Sequence, residues 1–570
     1  MSQHPAPQGP RLAPGRCDAI TVFGPDFPFD YQRWLNHPAG LGRLPGARLG
    51  TRIAIIGAGM AGLVAGYELM RLGLHPVFYE AGQIGGRLRS QPFDGAPDVV
   101  AELGAMRFPT SSSCFWHYAA AQGVATAPFP NPLTAAAGST VIELEGERVY
   151  AETLADLPPI FREVAHAYDR ALEEEAGVGA LMAAIAARDP AAVHALWHPL
   201  VRAWDERTFY DFVTTSRAFR ALSFRHREVF GQVGFGTGGW DSDFANSMLE
   251  ILRVALTLQD TDQRLIVGGA AQVPLGLWRR EGGAGTAHWP ADVSLAGLNH
   301  GAPRPGCVAL RRDDSRGGTG GIAVTDRWGR TEAFEAVVAT CQSWLMTTSI
   351  DTEERLFPAK LWMALDRTRY MQSAKTFVMV DRPFWRDRDP KTGHETMSMT
   401  LTDRLTRGTY LFDHAPPQPS VICLSYTWMT DALKVLPLSA GRRTALALDA
   451  LSKIYPEVDI AAHVLGDPIT VSWEADPNFL GAFKGALPGH YRYNHRMFGH
   501  FMQAGLAPDE RGLFIAGDDV SFMPGWVEGA VQTGLNAMWG VMHQLAGTSA
   551  PGNPGPGDRY AAIGPVALPD

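Results

Sequence analysis

The stretch RIAIIGAGMAG, residues 52–62, decides the fold of this chain. It begins with a short apolar run that predicts a buried strand, and a helix is predicted from Met60 to Leu72. The G-x-G-x-x-G spacing between strand and helix is typical of a dinucleotide-binding turn. Gly57 would make the tight turn, Gly59 would let the backbone approach a pyrophosphate, and Gly62 would let helix and strand pack closely. The anion would then lie on free N–H groups at the helix N-terminus.

The residues that follow the glycine motif strengthen this prediction. A second strand is predicted from His75 to Tyr79, and Glu80 ends it. That carboxylate lies 18 residues beyond Gly62, about where an acid accepts hydrogen bonds from a ribose. A glycine-rich turn in another kind of α/β protein is the alternative. It would not explain why strand, glycines, helix, strand and acid occur in this order.

Three later segments favour FAD over a nicotinamide cofactor. Gln83–Arg89 supplies a second glycine pair and two arginines near the expected pyrophosphate and ribityl chain. Gly512–Asp519 supplies a predicted strand, a glycine and an acid suited to a ribityl or phosphate contact. Gly525–Gly534 opens the last long predicted helix, whose positive end near a flavin pyrimidine ring would stabilise the anionic reduced flavin. A nicotinamide enzyme has no need of this distant element.

Composition excludes several classes of protein. The 570 residues, 46% hydrophobic and 19% charged, have an ordinary globular balance. The net charge of −9 and the pI of about 6.0 argue against a basic nucleic-acid footprint. No apolar run approaches the ~18 residues needed to span a bilayer, and residues 1–16 lack the apolar core of a secretory signal. We therefore expect a cytoplasmic protein that binds neither nucleic acid nor membrane.

Cysteine and histidine spacing gives no metal site. The five cysteines, Cys17, Cys114, Cys307, Cys341 and Cys423, are far apart and form no CxxC pair. Neither a zinc site nor a redox dithiol is therefore predicted. None of the 17 histidines forms H-E-x-x-H or another ligand pattern, so no metal is expected.

The order of predicted elements indicates two interleaved domains, of α/β plus α+β class. One is a Rossmann-like FAD-binding domain of the glutathione-reductase type, and the other is a substrate-binding sheet domain with a helical insertion. The expected boundaries are an N-terminal arm at 1–50, FAD-binding segments at 51–110, 262–345 and 485–548, a helical insertion at 111–261, a substrate-binding domain at 346–484, and a Pro/Gly-rich tail on the surface at 549–570.

The chain resembles the flavin amine oxidase superfamily, and more closely the bacterial L-amino acid monooxygenases and oxidases. The resemblance rests on the glycine motif, the Gly-Gly-Arg segment at 85–87, ELGAMRFP at 102–109 and GWVEGA at 525–530. Within this group the chain is most similar to the lysine 2-monooxygenases, which combine oxidase and monooxygenase activity, and next to tryptophan 2-monooxygenase. The stretches that match the lysine enzymes are FGPDFPF at 23–29, GFGTGGWDSDF at 234–244 and FLGAFKG at 479–485.

The resemblance implies an FAD cofactor, with an L-amino acid and dioxygen as substrates. Covalent flavin in this superfamily needs a cysteine near the C-terminal motif, and residues 505–550 contain none, so non-covalent FAD is expected. We also expect a homo-oligomer, with a dimer first. The implied cofactor contacts are Gly57, Ala58, Gly59, Ala61, Gly62, Glu80, Ala81, Gly86, Arg87, Gly104, Ala105, Met106, Arg107, Gly517, Asp518, Trp526, Val527 and Ala530.

Two residues are the implied catalytic centre, together with Trp526 beside the flavin. Arg107 is the candidate carboxylate clamp, because a guanidinium can bind both oxygens and thereby fix the α-carbon. A structural or FAD-binding arginine is the alternative. Lys375 matches the lysine that superfamily members place near flavin N5 through a water, although the residues alone would favour a surface lysine at a strand end. Trp428 and Phe483 match pocket walls, with core packing as the alternative.

The WDSD stretch, residues 240–243, predicts a basic substrate, with L-lysine first and arginine or ornithine as others that could fit. A terminal ammonium that enters an aromatic pocket loses hydration and needs a counter-charge. Asp243 is the first choice for this contact and Asp241 the second, and rings such as Trp240 or Phe483 could add cation–π attraction. An exposed helix start is the alternative, because Asp and Ser are common N-caps.

The resemblance also implies the chemistry. Hydride transfer from Cα to FAD gives an imino acid, and dioxygen reoxidises the flavin. An imino acid that stays bound is decarboxylated to the amide, which for lysine is 5-aminovaleramide, with CO2 and water. One that escapes gives a 2-oxo acid, ammonia and H2O2. Four alternatives remain: a pure L-amino acid oxidase, a tryptophan or phenylalanine 2-monooxygenase, an oxidase of simple amines, and a non-enzymatic flavoprotein. The arginine clamp argues against simple amines, because they have no carboxylate.

Similar lysine enzymes can carry a cysteine where this chain has Gln259.

Overall fold

A computed structural model of the chain describes residues 24–233, 245–314, 321–414 and 417–569. Within these ranges no helix is long and apolar enough to cross a membrane. The α-helices are Tyr31–Leu35, Met60–Arg71, Ser113–Ala120, Pro159–Ala176, Val178–Ala186, Pro190–Trp204, Phe209–Thr215, Arg217–Arg220, Phe224–Val233, Met248–Leu256, Gln272–Arg279, Leu295–Leu298, Ser343–Thr348, Ala359–Arg367, Met429–Val435, Ala440–Ile454, Tyr491–Gly499, Val527–Gln544 and Pro556–Ile563.

The glycine motif belongs to a five-stranded parallel sheet, which we call the cofactor sheet. Its strands, in order across the sheet, are Arg304–Pro305, His75–Glu80, Arg52–Ile56, Val337–Ala339 and Leu513–Ile515. The central strands are apolar and buried on both faces, as in other parallel sheets that are covered on both sides. Because all five strands are parallel, their carboxyl ends meet at one edge, where α/β sheets bind ligands.

Two helices pack closely on this sheet because glycines remove the side chains between them. A Cβ at Gly62 would overlap the carbonyl oxygen of Gly57, at the turn where strand and helix meet. A Cβ at Gly534, in the last long helix, would overlap the carbonyl oxygen of Ala61. The helices Met60–Arg71 and Val527–Gln544, which are far apart in sequence, therefore lie side by side.

A seven-stranded mixed sheet, which we call the substrate sheet, forms the second layer. Its strands in order are Val464–Ser472, Ser373–Val380, Ser420–Trp428, Gly408–Phe412, Met399–Thr402, Thr140–Leu144 and Glu147–Ala151. The last two strands fall inside the range 111–261, so that range is not the purely helical insertion that the sequence predicted. The run TVIEL at 140–144 is rich in β-branched residues and is buried, which favours a strand.

Smaller sheets complete the fold. The glycine-rich stretch after residue 301 forms an antiparallel meander. A four-stranded sheet contains Thr331–Phe334, Ile322–Asp326, Cys307–Arg312 and Asp351–Thr352. A three-stranded sheet contains Phe108–Pro109, Gln263–Ile266 and Thr126–Pro128. Three two-stranded sheets pair Gly42–Arg43 with Thr548–Ser549, Tyr370–Met371 with Phe483–Lys484, and Ser90–Phe93 with Ala96–Glu102.

The C-terminal segment is not the surface tail that the sequence predicted. The helix Pro556–Ile563 packs on the last long helix, and the side chains of Ile563 and Val566 are buried in the main core. A Cβ at Gly557 would overlap the indole ring of Trp539. Glycine content therefore marks close packing here, and not the exposed, irregular segment that the composition predicts.

The N-terminal arm is also anchored in the core. Asp26 is buried and accepts a hydrogen bond of 2.6 Å from Nε of Arg253, on the helix Met248–Leu256, and one of 2.9 Å from Nε1 of Trp197. Asn553, near the other end of the chain, donates hydrogen bonds to the carbonyl oxygens of Trp34 and Gly40. The hydrogen bond between Asp26 and Arg253 holds the helix Met248–Leu256, which forms part of the cavity described next.

Candidate active site

A cavity lies at the carboxyl edge of the cofactor sheet and reaches the substrate sheet. A residue just after each of the five parallel strands lines it, namely Gly306, Ala81, Gly57, Thr340 and Gly517. The opposite wall includes Lys375, Tyr426 and Trp428 from two neighbouring strands of the substrate sheet. The cavity therefore joins the predicted cofactor site to the predicted substrate site.

Two long helices begin at this cavity without a capping side chain. Gly59 is the N-cap of the helix Met60–Arg71, and Trp526 is the N-cap of the helix Val527–Gln544. The first N–H groups of a helix lack intrahelical acceptors, and the helix dipole favours an anion there. A Cβ at Gly59 would meet no atom within 4 Å, so the space above this turn is open. These features fit the pyrophosphate and the reduced flavin ring of FAD.

Glu80 is held in place at the end of its strand. Its carboxylate accepts hydrogen bonds from the backbone N–H of Ala58 at 2.6 Å and of Gly82 at 2.7 Å. Burial raises the pKa of Glu80, and these backbone donors oppose the rise. The carboxylate lines the cavity next to the glycine turn, which is where a ribose of FAD would need an acceptor.

Arg87 and Asp518, predicted separately as cofactor contacts, form a partly buried ion pair with each other. Nη1 of Arg87 also donates to the carbonyl oxygen of Ala482 at 2.7 Å. Asp518 accepts a further hydrogen bond of 3.2 Å from the backbone N–H of Gly525. This pair therefore ties the second glycine segment to the C-terminal motif, and both side chains still line the cavity.

The other predicted cofactor residues fall into two groups. Ala58 and Gly62 do not line the cavity: the N–H of Ala58 is bonded to Glu80, and Gly62 packs under the turn. The remaining positions line it, and they are Gly57, Gly59, Ala61, Glu80, Ala81, Gly86, Arg87, Gly104, Ala105, Met106, Arg107, Gly517, Asp518, Trp526, Val527 and Ala530.

Lys375 lies on a strand interior, and its side chain is buried. Its Nζ donates hydrogen bonds to the backbone carbonyl oxygens of Glu102 at 3.0 Å and Gly104 at 2.6 Å. Burial lowers the pKa of Lys375 to about 8, and the charge of Arg107 lowers it further, against the opposing effects of Cys423 and Glu102. A lysine with a pKa near neutrality can hold or release a proton under physiological conditions.

Arg107 extends into the cavity among aromatic rings. Its guanidinium carbon lies 5.6 Å from the ring centre of Tyr426, 5.8 Å from that of Phe129 and 5.9 Å from that of Tyr410. Nη1 of Arg107 is buried and has no hydrogen-bond partner among the described residues. A buried guanidinium with a free donor is suited to bind a carboxylate that enters the cavity.

Aromatic side chains form the walls between these two groups. The rings of Trp428 and Phe483 meet edge to face at 6.1 Å, and Tyr426 packs against Trp428 at 5.0 Å. Trp526 also lines the cavity. Sequence reasoning missed Tyr426, although it lies two residues before Trp428 and therefore points to the same face of the strand. Nζ of Lys375 lies 4.8 Å from the centre of its ring.

The predicted contacts to a substrate ammonium, Asp241 and Asp243, lie outside the described residues. The same holds for Trp240. Their assignment therefore remains a prediction from the sequence.

Comparison with known proteins agrees with this geometry. The family described as flavin-containing amine oxidoreductase matches residues 60–541. Tryptophan 2-monooxygenase of Pseudomonas savastanoi is 30% identical over 93% of this chain and 96% of its own length. A phenylalanine 2-monooxygenase precursor of a Pseudomonas species is 23% identical, with 88% of each chain covered.

Solved structures share the fold. Cyclohexylamine oxidase from Brevibacterium oxydans superposes with a TM-score of 0.62 at 18% identity, over 87% of this chain and all of that one. Putrescine oxidase bound to putrescine gives a TM-score of 0.60 at 16% identity, over 86% of this chain and 99% of that one. The predicted fold class and the predicted FAD cofactor are thereby confirmed. The chain belongs to the family of flavin-containing amine oxidoreductases.

Proposed function

We propose that this enzyme is an FAD-dependent L-amino acid 2-monooxygenase with an accompanying oxidase activity, and that L-lysine is its preferred substrate. The observation that carries the amino acid part is the free donor of Arg107 in the same cavity as Lys375. A simple amine has no carboxylate to pair with this guanidinium. The tryptophan and phenylalanine 2-monooxygenases among its relatives support the amide-forming reaction.

The chain's own residues would bind and orient the substrate. When bound, FAD takes a hydride from the substrate Cα and passes the electrons to dioxygen. Arg107 would bind the α-carboxylate through two parallel hydrogen bonds, which fixes Cα as well as the charge. Two of the three N–H positions on Nζ of Lys375 are used on backbone carbonyls. When Nζ is protonated, the third N–H would hold a water in the cavity; when Nζ is neutral, its lone pair would accept the proton of the substrate α-ammonium.

The aromatic walls decide how long the imino acid is kept from water. While Trp428, Phe483 and Trp526 enclose it, the amide pathway yields amide, CO2 and water from one amino acid and one O2. Hydrolysis of an escaped imino acid yields the 2-oxo acid and ammonia, and O2 leaves as H2O2. Both product sets are expected from the one site.

The lysine preference rests on the sequence at 240–243, with Asp243 as the proposed counter-charge. A tryptophan or phenylalanine 2-monooxygenase is the second candidate, favoured by the relatives. A homodimer and a cytoplasmic location complete the proposal, together with the predicted domain boundaries outside the two corrected segments, 111–261 and 549–570.

Anaerobic flavin reduction with a panel of L-amino acids tests this function, followed by product analysis in air. We expect lysine to bleach the flavin fastest and to give mainly 5-aminovaleramide. Failure of every L-amino acid to reduce the flavin would refute the proposal.

Asp243→Ala should abolish turnover of lysine and keep or improve that of phenylalanine. An equal effect on both substrates, or a wild-type preference for tryptophan, would refute the lysine assignment.

A further inference from the structure

Asp260 is a cavity carboxylate to which neither the sequence nor the proposed mechanism gives a role. It follows the helix Met248–Leu256 and lines the cavity. Among the described residues it accepts no hydrogen bond and forms no ion pair within 4.0 Å, even with Arg107. Asp260 is exposed by surface area, and it lines the cavity. Desolvation by the surrounding protein raises the pKa of its carboxyl to about 6, against the opposing charge of Arg107. At neutral pH it is therefore an ionised group with no partner in these ranges.

The neighbouring Gln259 adds a second acceptor without a donor. Its side chain is 0% exposed, and it also lines the cavity. Nε2 of Gln259 donates to Oγ of Ser111 at 3.3 Å and to the carbonyl oxygen of Thr257 at 3.4 Å. Oε1 has no hydrogen-bond partner among the described residues. Because a buried acceptor without a donor is costly, the pair is suited to a ligand that brings N–H groups and a positive charge.

The other carboxylates of the cavity are already satisfied. Glu80 accepts two backbone N–H groups, and Asp518 is paired with Arg87. Glu250 accepts from the backbone N–H of Ala486 at 2.7 Å and from Nδ2 of Asn246 at 3.0 Å. Of the carboxylates that line the described part of the cavity, Asp260 alone keeps its full capacity to accept hydrogen bonds.

We propose that Asp260, assisted by Oε1 of Gln259, is a further counter-charge for the cationic end of the substrate side chain, in addition to the one that the sequence assigns to Asp243, and that it contributes to the enzyme's preference for diamino acids over neutral ones. The inference rests on the proposed function, since Arg107 must hold the α-carboxylate of the same molecule. With both ends bound, each charge of the substrate faces an opposite charge of the protein. An apolar side chain would leave Asp260 and Gln259 unsatisfied, and an acidic one would be repelled.

The test compares Asp260→Asn with Asp262→Asn in the FAD-loaded enzyme. Asp262 lies two residues further on, accepts a hydrogen bond from Oγ1 of Thr110 at 3.1 Å and does not line the cavity. Its φ of 46° is a conformation that asparagine also adopts. The dissociation constants of L-lysine and L-norleucine are measured by anaerobic flavin reduction. Norleucine has the same chain but ends in a methyl group.

We expect Asp260→Asn to raise the dissociation constant of lysine about 10-fold to 100-fold, which corresponds to the loss of one charged hydrogen bond. The dissociation constant of norleucine should change by no more than about 2-fold. Asp262→Asn should change neither. An equal loss for both substrates would overturn the inference, because Asp260 would then act through the fold or through Arg107. Unchanged binding of lysine by Asp260→Asn would also overturn the inference.

A measurement on the wild type does not depend on the folding of any variant. Aminocaproate carries a carboxylate and a distal ammonium, and caproate lacks the ammonium. Tighter competitive inhibition by aminocaproate supports the inference, and equal inhibition overturns it. If norleucine reduces the flavin as well as lysine does, the proposed amino acid oxidation stands, whereas the role of Asp260 and the lysine preference both fail. If no amino acid reduces the flavin, the proposed function fails first.

Discussion

Lys375 donates a hydrogen bond of 2.6 Å from Nζ to the backbone carbonyl oxygen of Gly104, three residues before Arg107. A second bond joins it to the carbonyl oxygen of Glu102. A strand of the substrate sheet is thereby tied to the segment that carries the proposed carboxylate clamp. The group proposed to manage protons and the group proposed to hold the substrate are thus fixed relative to each other.

Replacement of Lys375 by methionine should slow flavin reduction, or reoxidation by O2, with little loss of FAD. Because the pKa of Lys375 is about 8, its neutral form increases as the pH rises through 8, and flavin reduction in the wild type should increase over the same interval. The variant should lose this inflection. Stopped-flow measurement of both half-reactions across pH checks the prediction. Lys453→Met, at an exposed lysine paired with Asp449, is the control. Unchanged rates in both half-reactions would remove Lys375 from the mechanism.

Arg107→Ala should weaken amino acid binding by about 3 to 6 kcal/mol, because two charged hydrogen bonds are lost. The matched measurement uses the amine formed by removing the carboxylate from the same amino acid. This amine has no carboxylate for Arg107 to bind, so its affinity for the variant should change little. If amino acid and amine lose affinity equally, Arg107 supports the fold and the carboxylate is bound elsewhere.

Two glycines of the same turn should respond differently to alanine. Gly59→Ala places a methyl group in the open space of the cavity, so the protein should fold and bind FAD more weakly. Gly62→Ala places it against the carbonyl oxygen of Gly57, so the protein should lose thermal stability even without cofactor. Thermal unfolding of the apoprotein and titration with FAD separate the two effects. The same loss of stability in both variants would show that Gly59 also serves packing.

FAD should leave the protein on acid precipitation. The cavity does contain two thiols: Cys307 follows the edge strand Arg304–Pro305, and Cys341 follows the strand Val337–Ala339. Burial raises the pKa of Cys307 to about 12 and also raises that of Cys341, so both remain protonated and are poor nucleophiles. Flavin absorbance that stays with the washed precipitate would contradict non-covalent binding.

Sequence reasoning identified the parts of the site that are local. The turn from Gly57 to Gly62 could be predicted because strand, glycines and helix are contiguous and each glycine has a steric reason. The pairing of Arg87 with Asp518 could not, because each residue alone looks like a cofactor contact and only the fold brings them together.

The long-range contacts escaped prediction for the same reason. Tyr410 and Phe129 face Arg107 from different strands and loops, and no pattern in the sequence joins them. Asp260 resembles any acid after a helix, because only the fold shows that the helix Met248–Leu256 leads it to the cavity. The burial of the last residues was missed because glycine was interpreted as a turn signal, whereas Gly557 is needed for contact with Trp539.

The cofactor cradle joins the earliest and the latest parts of the described chain. Gly57 and Trp526 line one cavity, and the neighbouring helices Met60–Arg71 and Val527–Gln544 touch along their length. During translation the ribosome releases the helix Met60–Arg71 long before the helix Val527–Gln544 exists. A nascent chain therefore cannot retain flavin until the helix Val527–Gln544 has been synthesised. Yellow colour in a purified sample then shows that both helices are present, and proteolysis that removes Val527–Gln544 should bleach it.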